Sequence, residues 1–527
     1  MYKLFPDNTR RLSFILLTNV TGFVALFFAL FFWQGHQGFS LWDEGFLWYG
    51  AQRTMVGEVP MRDFIAYDIG RYYWSAAIMS LMDDNGIVAL RVASTLFQTI
   101  SLYIGLAMLV RSSTKQNFLF WLLAALTLVA WMAPQCRLFD ISMPIMLVGT
   151  LAFLVEQPSG RRYFLTGLVI GLIAVFGRNH ALYGVVGSMC AMLYLTIRRE
   201  RNNSLLMACS MWVIGVVVGY LPVLVFLVLV PGFSQAFVDS IRVLFEIKAT
   251  NLPIPIPWPW LVQFGQLSTV EMQRAVTKGI FFIAIFVFGV LGIAWIIRKR
   301  LKNNSNSPVL VAAIFLAIPY AHYAYSRADL YHLAPSIPAF LMGILALLAN
   351  QVARIKWPLV MLLCGTSLFV MLPTHPRWYC SVYSNQACIN MKVASDQLMV
   401  DRETAGNLVE LNKLAKQFSP GDQTFIAAPY WPGAYAALER KAPMWEIFVS
   451  SFPRNADFQR AEVERIKAAN PGFAVINDYA LDGREELRFR NTHPIIDQYI
   501  RDNFEPLIDP ARPPVFQVYT SKQSGQN

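Results

Sequence analysis

The chain has 527 residues, 55% hydrophobic and only 15% charged, with a mean hydropathy of +0.42 and a formal net charge of +11. A water-soluble fold cannot bury that much apolar surface, so the soluble enzyme classes are set aside in favour of a polytopic membrane protein. In such a protein the excess of Lys and Arg belongs to cytoplasmic loops rather than to nucleic-acid binding, and no RNA- or DNA-binding motif is present.

A membrane-spanning helix needs about 20 apolar residues. The first candidate, 12–34, is too long for a cleavable signal peptide and lacks a small-residue cleavage site. Residues 35–86 then form a loop. Within it "YYWSAAIMSLM" (72–82) is apolar but too short to span, which predicts an interfacial or re-entrant helix. Further spans are predicted at 87–110, 118–134, 140–156, 163–177, 181–197, 206–230, 279–297, 309–324, 333–350 and 357–373. One helix over 163–197 would be about 52 Å long against a hydrocarbon core of about 30 Å. Both ends of that stretch are also Arg-rich, so a hairpin turning at "GRNHALYG" is predicted. A second large loop, 231–278, contains "NLPIPIPWPW", whose prolines forbid a regular helix and whose tryptophans suit the membrane interface.

The charges between spans alternate. Every second gap is basic: Lys3, Arg10 and Arg11; Arg111 and Lys115; Arg161 and Arg162; Arg198, Arg199 and Arg201; Arg298, Lys299, Arg300 and Lys302; Arg354 and Lys356. The positive-inside rule makes these gaps cytoplasmic. Eleven spans, an odd number, then put the N-terminus inside and the C-terminal segment outside. From about residue 374 charges become frequent. "ADFQRAEVERIKAAN" has helical periodicity, while "QTFIAAP", "FAVIND" and "VFQVYT" read as short strands. Residues 374–527 are therefore expected to form a small extracytoplasmic α/β domain beside a membrane domain of residues 1–373. It either receives an acceptor or acts as a stabilising lid. The six Cys show no CxxC or metal-ligand spacing. Cys380 and Cys388 lie on the predicted outer side, where a disulfide and two free thiols are both open.

Sorted by side, the outer face collects nearly all the acids and histidines near the spans. Ionisable groups at a membrane boundary are costly and are functional candidates. Asp43 and Glu44, in "LWDEGFLWYGAQRTMVGEVPMRDF", offer one carboxylate to take a proton from an acceptor hydroxyl and a neighbour to orient it or bind a metal. The alternative is a solvated cap on a juxtamembrane helix. Asp140, in "QCRLFDISMPIMLVGTLAFL", is either an N-cap or a second acid facing the same cavity. Arg327, Asp329 and His332, in "YAHYAYSRADLYHLAPSIPAF", suit a phosphate through charge and bidentate hydrogen bonds, or form an Arg–Asp pair that ties down the turn. Arg178 and His180 in "FGRNHALYG", and Arg71 in "DIGRYYW", take the same phosphate reading. His375 and His493 are given no role. GxGxxG, Walker A, HExxH and GxSxG are absent. An outer-face transferase has no cytosolic nucleotide sugar, so its donor would have to be attached to a lipid.

The ordered segments "LWDEGFLWYGAQRTMVGEVPMRDF", "GRYYWSAAIMSLM", "ALRVASTLFQ" and "RLFDISMPIMLVGTLAFL" resemble the first outer loop, second span and second acidic loop of the GT-C glycosyltransferases. The branch in question holds protein O-mannosyltransferases and lipid A aminoarabinose transferases. The resemblance covers roughly residues 10–200; the later spans match in layout only. Where better-known members have a Pro-rich stretch, this chain reads "YDIGRYYW". The resemblance implies that Asp43 is the general base with Glu44 beside it. Asp140 becomes the second acid, and Asp43 and Asp140 would share a divalent metal (Mg or Mn) if one is used. A polyprenyl-phosphate sugar would be the donor, its phosphate stabilised by Arg71, Arg178, His180, Arg327 and His332. A lipid, glycan or protein of the cell envelope would be the acceptor, at the outer face of a bacterial cytoplasmic membrane. Two other classes compete: a surface-polysaccharide ligase or polymerase, which relies on bases and a His rather than an early acidic pair, and a transporter, which favours inverted repeats that are not seen here.

Overall fold

The structure is a computed structural model. It describes residues 6–113, 117–133, 135–197, 205–247, 251–263, 265–382, 387–449, 452–509, 512 and 516–522, with side chains of the first helix from residue 20 onward. Of the expected cytoplasmic bases, Lys3, Lys115, Arg198, Arg199 and Arg201 lie outside the described residues, and the side chains of Arg10 and Arg11 are likewise outside the description.

In chain order the helices begin with α1 (Pro6–Gln34), α2 (Asp43–Met55), α3 (Gly70–Leu81), α4 (Ile87–Arg111), α5 (Phe118–Ala130), α6 (Leu138–Glu156), α7 (Gly160–Phe176) and α8 (Arg178–Thr196). They continue with α9 (Leu205–Leu229), α10 (Phe233–Ile247), α11 (Thr269–Leu301), α12 (Pro308–Ser326), α13 (Leu330–Ser336), α14 (Pro338–Ala349) and α15 (Ala353–Met371). After α16 (Pro376–Val382) come strands β1 (Cys388–Val393) and β2 (Asp396–Asp401), helix α17 (Arg402–Phe418), β3 (Ile426–Ala428), α18 (Pro432–Ala437) and α19 (Ala456–Ala469). The chain ends in β4 (Phe473–Asn477), α20 (Phe489–Thr492), α21 (Pro494–Asn503), β5 (Phe504–Pro506) and β6 (Phe516–Ser521).

Each of the eleven predicted spans overlaps a helix among the described residues. Six helices among the described residues are long and apolar enough to cross a membrane, or seven if the bent pair α13–α14 counts as one span. The protein is thus mostly helical and membrane-type, but a count of eleven is not established. Length accounts for part of the shortfall: α5 has 13 residues and α7 has 17, short of the run a bilayer requires, whereas α8, with 19 residues, is long enough but less apolar.

The chain divides into two compact units. The first comprises residues 1–35, 91–222 and 253–378 and is a helical bundle. At its centre is α12, whose residues Val309 to Ala317 are all buried. The hairpin expected over 163–197 is present. Gly177 interrupts the helix with an extended backbone, and Gly184 approaches Ile170 within 3.3 Å of a built Cβ, so α7 and α8 run back along each other. Helices α7 and α9 meet through paired glycines, "GLVIG" (167–171) against "GVVVG" (215–219). A Cβ on Gly167 would lie 2.1 Å from the Trp212 carbonyl, and one on Gly219 2.1 Å from the Leu168 carbonyl. Without a hydrophobic drive between helices in lipid, such small-residue seams let backbones approach and gain van der Waals contact. Polar side chains add to the bundle: Gln34 donates to Thr95 Oγ1 at 3.0 Å and to Gln98 Oε1 at 2.8 Å, all buried.

The second unit comprises residues 36–90, 223–252 and 379–527. The first outer loop is therefore part of the same compact body as the C-terminal segment. Strands β3, β4, β6 and β5 form one sheet in that order, with β3–β4 parallel and the other pairs antiparallel. β1 and β2 make a separate antiparallel pair. The three predicted strands and the predicted helix α19 are all present. Asn455 caps α19 by accepting from the Phe458 N–H at 2.9 Å. Asn470 ends that helix in the left-handed conformation (φ 46°). Ile426, Ile466, Ile476, Ile496 and Ile500 share the apolar core. The open question over the cysteines resolves in favour of a Cys380–Cys388 disulfide.

Candidate active site

In the second unit, Asp43 and Glu44 occupy the first turn of α2, where the unsatisfied N–H groups and the helix dipole favour negative charge. Glu44 is buried and Asp43 half-buried. The Asp43 carboxylate has no hydrogen-bond or ion-pair partner among the described residues, so its lone pairs are open to a substrate proton. The turn that carries it is fixed by backbone packing. Gly45 lies against Gly433 at the start of α18, so closely that a Cβ on Gly45 would be 2.4 Å from Gly433 Cα. Gly433 donates its N–H to the Leu41 carbonyl at 2.9 Å, and Gly45 donates to the Ser40 carbonyl at 2.9 Å.

Aromatic rings surround this turn. Trp42 stacks on Tyr430 at 5.2 Å and tilts against Tyr479 at 5.1 Å. Tyr430 continues to Phe448, Phe448 to Phe46, and Phe46 to Tyr67, with centroids 5.1–5.4 Å apart. The buried Arg71 guanidinium lies 5.2 Å over the Tyr67 ring. A continuous aromatic run thus links the turn bearing Asp43 to Arg71 within one unit. Helical periodicity gave no sign of it, because Tyr430, Phe448 and Tyr479 come from loops far along the chain.

In the first unit, Asp140 sits in the first turn of α6, 3% exposed. Its Oδ1 accepts from His180 Nε2 at 3.1 Å, and Arg137 stands 3.9 Å from its Oδ2. A carboxylate only accepts, so Nε2 carries the proton. In the neutral imidazole, Nδ1 is then the acceptor for Tyr320 O–H at 2.9 Å. All three groups are buried. A phosphate could reach His180 only by displacing one of these partners. Arg178 begins α8 two residues earlier.

Arg327 and His332 meet on Asp329. Arg327 Nε donates to Oδ2 at 2.8 Å; His332 Nδ1 and the His332 N–H each bond Oδ1 at 2.8 Å. Burial pushes the Asp329 carboxyl up, but the His332 hydrogen bonds and the charges of His332 and Arg327 outweigh it and hold it below the usual carboxylate value. Tyr323 lies between the two clusters, 5.4 Å from the His180 ring and 5.6 Å from the His332 ring. His180, which holds Asp140, and His332, which shares Asp329 with Arg327, thus flank Tyr323, while Asp43, Glu44 and Arg71 lie in the other unit. Sequence reasoning missed Tyr320, Tyr323 and Tyr183, whose hydroxyl bonds His322 Nδ1 at 3.1 Å. The i, i+3 spacing of Tyr320 and Tyr323 in "YAHYAYS" was the signal available for those two.

No group of three or more His, Cys, Asp or Glu side chains able to hold a metal occurs among the described residues.

No protein-family model matches the sequence, and no curated protein does. Solved structures do match. The chain aligns over 96% of its length with 98% of ArnT, the lipid A aminoarabinose transferase of Cupriavidus metallidurans, bound to undecaprenyl phosphate (12% identity, TM-score 0.54). The same enzyme in its apo state aligns over 97% of this chain and 98% of its own, at 12% identity and TM-score 0.53. The apo oligosaccharyltransferase of Archaeoglobus fulgidus aligns over 97% of this chain and 74% of its own, at 13% identity and TM-score 0.45. These likenesses reside in the backbone rather than the residues: the chain has the fold seen in ArnT.

Proposed function

We propose that the protein is a membrane glycosyltransferase that moves a sugar from a polyprenyl-phosphate donor to an acceptor of the cell envelope, on the extracytoplasmic face of a bacterial cytoplasmic membrane. The observation that carries this reading is the Asp43 carboxylate, half-buried, without a partner among the described residues and held by a glycine-on-glycine backbone contact. The ArnT fold, seen with undecaprenyl phosphate, supports the donor class.

An acceptor hydroxyl has a pKa far above 7, so a positioned carboxylate must take its proton as the new bond forms. Asp43 takes that proton. The acceptor oxygen attacks the anomeric carbon, the bond from that carbon to the lipid phosphate oxygen breaks, and the configuration inverts. The departing phosphate gains negative charge, which Arg71, in the same unit as Asp43, stabilises. His180 serves chiefly to hold Asp140 through the buried Asp140–His180–Tyr320 chain, which keeps that carboxylate oriented.

Mass spectrometry of envelope glycans from cells with and without the protein tests the reading. A sugar should be missing when the protein is absent and remain missing when Asp43→Asn is supplied, with that variant inserted at normal levels. An envelope that does not change, or an Asp43→Asn protein that restores the modification in full, refutes it.

A further inference from the structure

A cavity of about 560 Å³ lies wholly in the second unit, within the size range of small-molecule sites, about 300–1,000 Å³. Tyr49, Glu58, Asp63, Lys441, Trp445 and Arg465 line it. It borders α2 through Tyr49, six residues beyond Asp43 and so on a different side of that helix.

The wall carboxylates are already ion-paired. Glu58 is held by Arg53 at 2.6 Å and Lys441 at 2.8 Å, Asp63 by Arg62 at 2.7 Å, and Arg465 by Glu462. Asp422, also in the wall, pairs with Arg440 at 3.2 Å, so every wall carboxylate is ion-paired, with one basic group in excess beside Glu58. What remains is hydrogen-bonding capacity of both signs. Glu58 accepts two bonds from Arg53 and one from Lys441, and Asp63 two from Arg62 and one from the Val59 N–H, out of about four sites per carboxylate. Lys441 uses one of its three protons. The buried Tyr49 hydroxyl accepts the Ala442 N–H at 2.9 Å, and its own proton has no acceptor among the described residues. Trp445 is anchored by its Nε1–H on the Arg62 carbonyl at 3.1 Å and by its N–H on Glu462 at 2.8 Å. Its fixed indole supplies a flat apolar surface beside these polar groups.

Unspent donors and acceptors, ion-paired carboxylates and an anchored aromatic ring suit an uncharged polyol, since each hydroxyl both gives and takes a hydrogen bond. We propose that this cavity binds a neutral saccharide of one or two rings. Taking that saccharide for part of the acceptor rests on the transferase reading; the binding itself does not.

The test is saturation-transfer NMR on the full-length protein in detergent micelles, with free mannose, galactose, arabinose, N-acetylglucosamine and lactose as probes and no donor present. At least one sugar should bind saturably. Trp445→Ala and Tyr49→Phe should weaken it at least fivefold, and inorganic phosphate should not compete. Should Trp445→Ala fail to fold, the exposed Lys441→Ala decides: the same loss supports the site and unchanged binding overturns it. Asp43→Asn should bind as the wild type does, and loss of binding there would overturn the assignment to this cavity. Failure of every sugar to bind, or competition by phosphate, also overturns it, whatever the transfer assay gives.

Discussion

Replacing Gly45 with Ala is the sharpest perturbation of the site short of removing a functional group. The added methyl would lie 2.4 Å from Gly433 Cα and 2.5 Å from Gly433 N, whereas ordinary contact begins at 3.4 Å, so the two backbones must part by 1.0 Å, the difference. Neither neighbour is the end of a flexible side chain, and Gly433 cannot withdraw without giving up its 2.9 Å bond to the Leu41 carbonyl. Overpacking of this kind costs about 1–3 kcal/mol, and a 1 Å misplacement of a reacting group costs on the order of 100-fold in rate. Gly45→Ala should therefore transfer sugar about two orders of magnitude more slowly, with a lowered melting temperature. The assay is transfer from a labelled polyprenyl-phosphate sugar in membranes, with thermal melting in parallel. Gly406→Ala is the control: it lies within α17 of the same unit, and a Cβ there meets nothing within 4 Å. A Gly45→Ala protein as active and as stable as that control would refute the argument.

Other outcomes follow from the same geometry. His180→Ala removes the hydrogen bond that orients Asp140 and should lower transfer by at least tenfold, in line with about 1.5–3 kcal/mol for a bond to a charged group; an unchanged rate would make the pair purely incidental. Gly171→Leu forces a side chain into the Val216 carbonyl, 2.2 Å from a built Cβ, and should destabilise the bundle by about 1–3 kcal/mol in a melting assay. In the second unit, burial pushes Glu446 up, but the hydrogen bonds and charges of His493 and Arg454 outweigh it and hold its carboxyl below the ordinary 4.5. Its stabilisation is thus fully present above pH 4.5 and is lost as pH falls through the lowered folded-state value. Glu446→Gln should cost about 3–5 kcal/mol at neutral pH and flatten the acid limb of the melting curve. Finally, alkylation of the denatured, unreduced protein should label the four cysteines Cys136, Cys190, Cys209 and Cys364, and Cys380 and Cys388 only after reduction.

What the sequence made legible was whatever depends on near neighbours. Apolar runs located the helical segments, Arg-rich ends and helix length located the hairpin at Gly177, and short apolar stretches located β3, β4 and β6. Amphipathic α10 went unread inside the 231–278 loop, because an even mixture of apolar and charged residues averages to a loop-like hydropathy. The seam between "GLVIG" and "GVVVG" was present as a motif, but nothing in one sequence says which helices face each other. The candidate site was half legible for the same reason. Asp43, Asp140, Arg327 and His332 stood out as charges beside lipid, whereas the Asp140–His180 bond spans 40 positions. The Gly45–Gly433 contact and the aromatic run through Tyr430 and Tyr479 arise only when the first outer loop and the C-terminal segment fold as one body.

The most direct test of the central claim uses purified protein in proteoliposomes with an undecaprenyl-phosphate sugar as the sole donor. The account predicts one undecaprenyl phosphate released for each sugar transferred, an inverted anomeric configuration in the product, and no turnover by Asp43→Asn. Wild-type turnover by that variant, or transfer from a nucleotide sugar in place of the lipid donor, would contradict it.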